Sequence, residues 1–227
     1  MSGDLDVAQG KTAGQWFALV LLGLGAGFLS GMFGVGGGIL IVPGLIMIAH
    51  FTQKMASGTS LAAIVPLAAV GVLSYAVADS VAWMAALFLA AGAMVGSRIG
   101  TRLLVIVRPR PLQMLFSGFM VLVIISLFLV VPDRGALFVV TPLSALALIL
   151  LGLVTGILSG LLGVGGGVII VPALMFFFGT SDLIAKGTSL LVMIPSALVG
   201  TTFNVRNHNV DLAAAATVGV SASATTY

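Results

Sequence analysis

Residues 27–43 read GFLSGMFGVGGGILIVP, and residues 156–172 read GILSGLLGVGGGVIIVP. Twelve of these seventeen positions are identical at a fixed offset of 129. The same offset pairs Gly58-Thr59-Ser60-Leu61 with Gly187-Thr188-Ser189-Leu190, and Pro66 with Pro195. No insertion or deletion breaks the register between residue 27 and residue 66. Chance likeness between apolar segments does not hold register in that way, so the chain consists of two homologous halves.

The composition around these blocks sets the solvent. Of 227 residues, 60% are apolar and 7% charged, and the mean hydropathy is +1.28; soluble domains carry about 25% charged residues. A chain this poor in polar groups cannot cover a water-facing surface, which excludes a soluble enzyme and a disordered chain. The net charge of +3 sits at segment ends and forms no nucleic-acid-binding face. There is no cysteine and no glutamate, which removes thiolate chemistry. His50 and His208 stand apart without a carboxylate cluster, so neither a metal site nor a cofactor is expected.

Charges divide the chain into uncharged runs at 12–53, 55–78, 80–97, 111–132, 135–181 and 187–205. A membrane-spanning helix needs roughly 20 apolar residues. Several runs fit one helix, and the two longest are each split by a glycine cluster, Gly34–Gly38 or Gly163–Gly167. The expected helices lie near 15–33, 37–50, 58–78, 81–104, 112–131, 136–162, 166–179, 187–204 and from 209 to the end. Alternation of apolar and polar residues, the mark of a membrane β-barrel, is absent. The fold class expected is an all-α integral membrane protein. It is a polytopic helical bundle of two homologous, inverted repeats with glycine-interrupted, broken or re-entrant helices. Residues 1–14 form an amino-terminal tail, 15–131 the first repeat and 136–227 the second. The tail carries Asp4, Asp6 and Lys11, unlike a signal peptide, so the first run is expected to remain as a helix. The second half has no counterpart of residues 99–131, and a further stretch matching it is expected.

Orientation follows from counting crossings. Five or three crossings per half invert the second repeat; four would leave the repeats parallel. With the loop bearing Arg98, Arg102, Arg108 and Arg110 in the cytoplasm, Lys11, Lys54 and Arg206 also fall inside. Only Arg134 and Lys186 then lie outside, and this bias favours inversion with a cytoplasmic amino terminus.

Gly/Pro-interrupted short segments at matching places in two inverted halves mark a transporter's binding site. A helix starting after such a loop presents unpaired N–H groups and the positive end of its dipole. Glycines let an anion approach that backbone closely. No basic residue interrupts the apolar runs, so backbone recognition is the available route. The expected substrate-binding residues are Gly34, Gly36, Gly37 and Gly38 with Gly163, Gly165, Gly166 and Gly167. Ser30, Ser159, Thr59, Ser60, Thr188 and Ser189 are expected to add hydroxyls. The ladders Gly23/Gly27/Gly31, Gly92/Gly96/Gly100 and Gly152/Gly156/Gly160 have the spacing of close helix packing instead. Pro66 and Pro195 are expected to kink their helices. Lys54 and Lys186 read as topology-setting charges in short connections. A dinucleotide or phosphate loop fails on context, since no βαβ pattern or Lys-Ser/Thr surrounds the glycines.

The doubled SG-x-x-GVGGG-x-x-x-VP block (Ser30 to Pro43, Ser159 to Pro172) and the GTSL segments at Gly58 and Gly187 resemble the sulfite exporter TauE/SafE family, also called the toluene-sulfonate uptake permease family. The G-x-x-x-G-x-R-x-G stretch from Gly92 to Gly100 adds to the resemblance, which runs over nearly the whole chain. It implies a secondary transporter of the bacterial-type inner membrane, moving sulfite, sulfonates or related anions. The second half departs from the pattern in having no counterpart of the Arg98 motif.

The reading is a permease or exporter of small anions working by alternating access. The lipid bilayer, a small anionic substrate, a coupling proton or sodium ion and a homo-oligomeric partner are its expected associates; nucleic acid is not. A passive anion channel and a non-transporting membrane paralogue are the alternatives. A membrane enzyme lacks the acid–base side chains it would need.

Overall fold

The computed structural model describes residues 11–108, 110–118, 121 and 141–226. Among these residues every regular element is helical: α1 (Ala13–Phe33), α2 (Gly38–Ala49), α3 (Gln53–Val77), α4 (Trp83–Ile106), α5 (Pro142–Leu162), α6 (Gly167–Phe178), α7 (Asp182–Arg206) and α8 (Leu212–Ser223), with a further helical stretch at 110–118. Most of the tail at 1–14, the later part of the expected helix at 112–131, residue 136 and Arg134 lie outside the described residues.

The bounds of α1, α2 and α3 recur in α5, α6 and α7 at the same offset as the sequence repeat. Their caps recur with them. Thr12 and Thr141 each close a capping box, with Gln15 and Ser144 returning the bond. That box starts α5 at Pro142 rather than near 136. Thr52 and Ser181 accept the N–H of Met55 and Ile184, so α3 and α7 start at residues 53 and 182, a full turn before the expected 58 and 187. Lys54 and Lys186 therefore lie in the opening turns of helices, not in connections. Asp211 caps α8 through the N–H of Ala214, which moves its start from 209 to 212.

Five helices, α1, α3, α4, α5 and α7, are long and apolar enough to cross a membrane. Helices α2 and α6 have 12 residues each, about 18 Å of length against a hydrocarbon core of about 30 Å. Neither can cross alone. Gln15 donates to the Ile48 carbonyl at 3.3 Å, while Gly37 lies beside Ala26. So α2 folds back along the first half of α1 and returns to the end where α1 began. Phe17, Leu21, Trp83 and Leu87 stay exposed on the outer faces of α1 and α4, as apolar side chains facing lipid do.

Between the halves the contacts are reciprocal. A Cβ added at Gly92, Gly96 or Gly100 of α4 would strike the backbone of Ile149, Leu153 or Ile157 of α5. One added at Gly23, Gly27 or Gly31 of α1 would strike Val218 or Ala222 of α8, or Thr226 just beyond it. In both pairs the residue numbers rise together, so the helices run in the same sense. The three small-residue ladders are thus close-packing surfaces, as their spacing indicates. Equivalent helices α3 and α7 also meet, with Gly58 against Asn204 and Gly71 against Leu190. Here the numbers run in opposite senses. Pro66 and Pro195 lie inside α3 and α7.

Candidate functional site

The chain enters each glycine loop through a left-handed helix cap. Gly34 ends α1 at φ 65° and donates its N–H to the Ser30 carbonyl at 2.7 Å; Gly163 ends α5 at φ 75° and donates to Ser159 at 2.8 Å. Gly36 and Gly37 follow at φ 80° and 68°, and Gly165 and Gly166 at 89° and 83°. These values lie where a Cβ is costly, which accounts for glycine at three positions of each block. Gly38 and Gly167 open α2 and α6, and their reason for being glycine is space. A Cβ on Gly38 would come within 2.5 Å of the Val164 Cα, and one on Gly167 within 2.6 Å of the Gly34 carbonyl oxygen. The two loops therefore touch each other.

Hydroxyls from the opposite half hold them there. Ser60 Oγ donates to the Gly163 carbonyl at 2.6 Å, and Ser189 Oγ donates to the Gly34 carbonyl at 2.9 Å. Ser57 adds a bond to Leu162 at 3.1 Å. Thr59 Oγ1 accepts the Asp211 N–H and Thr188 Oγ1 accepts the Ala82 N–H, both at 3.0 Å. The GTSL segments thus cross over: each clamps the other half's loop and the residue preceding a helix of the other half. Ile64 and Met193, equivalent residues of α3 and α7, lie beside Gly165 and Gly36.

What remains unpaired is the backbone that the loops present. No side chain caps α2 or α6. The first bonds these helices make are from Leu40 and Ile41 to Gly37, and from Ile169 and Ile170 to Gly166. The N–H groups of residues 35–39 and 164–168 find no acceptor among the described residues. Gly36 to Gly38 and Val164 to Val168 are buried. Buried N–H groups without a partner are rare, because each carries its full desolvation cost. The hydroxyls of Ser30, 0% exposed, and Ser159, 2% exposed, are also without a hydrogen-bond partner. They are equivalent residues, and Ser159 Cβ is 3.6 Å from where a Gly166 Cβ would stand.

The residues expected from sequence therefore meet at one place and divide into two groups. Gly36 to Gly38, Gly165 to Gly167, Ser30 and Ser159 offer unused donors, whereas Gly34 and Gly163 spend their N–H groups on the helix caps. The hydroxyl donors of Ser60 and Ser189 are spent on loop carbonyls. Ser57 was missed because its repeat equivalent is Lys186, so the duplication does not flag it. No group of three or more metal-binding side chains occurs among the described residues.

Comparison with known proteins follows the same lines. The chain matches the sulfite exporter TauE/SafE family over residues 4–127 and 133–227. It is 29% identical over 217 residues to the probable membrane transporter protein YunE of Bacillus subtilis (strain 168), covering 85% of this chain and 79% of that protein. It is 30% identical over 201 residues to a probable membrane transporter protein of Xylella fastidiosa (strain 9a5c), covering 84% and 75%. Against MJ0441 of Methanocaldococcus jannaschii, also a probable membrane transporter protein, identity is 29% over 167 residues, covering 69% and 60%. No solved structure matches the chain. With its doubled glycine block, its apolar helices and a match running through both halves, this chain belongs to the sulfite exporter TauE/SafE family of membrane transporters.

Proposed function

We propose that the protein is a secondary transporter of small anions, sulfite and related organosulfur anions foremost, with its site between the two glycine loops. The observation that carries this reading is the paired set of unpaired N–H groups at residues 35–39 and 164–168, flanked by the unpartnered hydroxyls of Ser30 and Ser159. Donors without acceptors, at the positive ends of two short helices, favour a negative ligand. In a membrane interior, where water cannot serve them, the preference is stronger. The two halves are inverted in the membrane, in keeping with the opposed course of α3 against α7. Rocking of one half against the other, about loops held by crossed serine bonds, gives access from alternate sides. The amino terminus lies in the cytoplasm of a bacterial-type cell.

Thermal unfolding of the detergent-purified protein with sulfite, thiosulfate, sulfoacetate, sulfate and simple carboxylates tests the site, since a ligand that binds the folded state raises its stability. A selective shift with a sulfur anion is expected. The Ser30→Ala/Ser159→Ala double variant removes two groups with no partner, so it should fold as well as wild type yet bind about tenfold more weakly. No shift for any anion, or unchanged affinity in both the serine variant and Gly166→Ala, would remove the reading. Saturable uptake in proteoliposomes separates a carrier from a pore.

A further inference from the structure

The two loops share a backbone plan but not an electrostatic one. At the position where the first half has Ser57, the second has Lys186; where it has Gln53, the second has Asp182. The stem of Lys186 packs on the first loop: a Cβ placed on Gly34 would lie 2.6 Å from both Cα and Cβ of Lys186 and 2.7 Å from its Cγ. Its side chain is 15% exposed, and its ammonium donates to Asp182 Oδ2 at 2.6 Å. Asp182 stands in the first turn of α7, where the helix dipole favours a negative charge independently of the lysine. A cavity of about 310 Å³ opens between α1, α3, α7 and the residues after α8, lined by Gly31, Ser74, Tyr75 and Leu183 among others. Gly31 lies one turn before Gly34 and Leu183 follows Asp182, so the cavity neighbours both the loop and the ion pair in sequence although none of Gly34, Asp182 and Lys186 lines it.

Resting on the anion-site reading above, we propose that Lys186 is the counter-charge of the transported anion and that Asp182 holds its ammonium until the anion replaces the carboxylate. The anion reaches this exchange from the side of the membrane opposite the amino terminus. Backbone N–H groups supply direction and shape but only partial charge, whereas a full cation discriminates by ligand charge. The break in symmetry makes the two sides unequal: only one loop carries the lysine, so the anion meets a full positive charge from one face alone. Because Lys186 lies inside a hydrogen-bonded pair, the site presents no bare cation to the bilayer.

Affinities for sulfite, and for a monovalent sulfonate such as methanesulfonate, measured on the purified full chain test this. Lys186→Gln should weaken sulfite at least about tenfold and the monovalent sulfonate less, since the lost interaction scales with ligand charge. Lys186→Arg should restore most of the affinity, and Asp182→Asn should tighten binding by removing the competing carboxylate. A lysine that only stabilised the first turns of α7 would lower the melting temperature in Lys186→Gln and leave both affinities unchanged, and that result overturns the proposal. If Lys186→Gln binds as wild type while the Ser30→Ala/Ser159→Ala variant does not, the loop site stands and the counter-charge fails. If wild type binds neither anion, both readings fall together.

Discussion

Gly36 and Gly165 show how little freedom a single position has here. Each combines a left-handed φ with a neighbour from the opposite half, Met193 in one case and Ile64 in the other. A side chain at either would meet strain, together with a clash against Met193 at Gly36 and a tight contact with Ile64 at Gly165. Asp211 has a different kind of constraint. Burial pushes its carboxyl up, but the N–H of Ala214, the ammonium of Lys11 and the N–H of Ala213 together outweigh that and hold it below the usual carboxylate range. Lys11 also lies 5.1 Å from the Trp16 ring centre and 5.4 Å from that of Phe51. A carboxyl depressed by folding contributes stability above its unfolded value, near 3.9, and loses it as the pH falls through the lower folded value. Asp211→Asn keeps a capping side chain but removes the ion pair. It should cost about 0.2–1 kcal/mol at pH 7, with the difference from wild type vanishing at the acid end of a pH series of melting curves.

Among elements, the α4–α5 and α1–α8 pairs rest on glycine faces that let backbones approach to contact. Gly96 faces the backbone of Leu153 and Ile157, whereas Gly25, on the same helix as the Gly23/Gly27/Gly31 ladder, faces open space. Gly96→Ala should therefore destabilise by about 1–3 kcal/mol through overpacking. Gly25→Ala should be neutral or stabilise by up to about 1 kcal/mol through helix propensity. Melting temperatures of the two variants in one detergent decide the matter. Equal effects would mean that the glycines serve flexibility rather than approach. The contrast follows the spacing: Gly96 belongs to an i, i+4 ladder of glycines and Gly25 to none. The helix starts at Gln53 and Asp182 are legible in the capping residues Thr52 and Ser181, which lie before the charges Lys54, Asp182 and Lys186 that bound the uncharged runs.

At the scale of the whole molecule, inversion is the statement with the widest consequences. Ala78 and Asn207 are equivalent residues at the ends of α3 and α7, and both are exposed. Since the chain has no cysteine, Ala78→Cys and Asn207→Cys each introduce a single thiol. Inverted halves place these thiols on opposite faces of the membrane. A membrane-impermeant maleimide added to intact cells should label position 78 and not 207, with 207 labelled only after permeabilisation. Labelling of both from one side would require parallel halves.

The duplication, the membrane class and the family were written in the chain, since each depends on composition or register and both survive without coordinates. So was the gathering of glycines and hydroxyls into one region, because two copies of a motif in homologous halves have equivalent places. Which hydroxyl does what was not written there. Ser30, Ser57 and Ser60 are the same residue type in apolar helices, yet Ser57 and Ser60 spend their protons across the interface while Ser30 keeps its own. That distinction comes from the crossing of α3 over the opposite loop, a contact between residues 103 positions apart in the case of Ser60. The same holds for Lys186, whose sequence neighbours mark it as a flanking charge and whose packing puts it on Gly34. Local sequence sets where a helix can start and which backbone can turn left-handed; which donors are left over is decided only when the two halves meet.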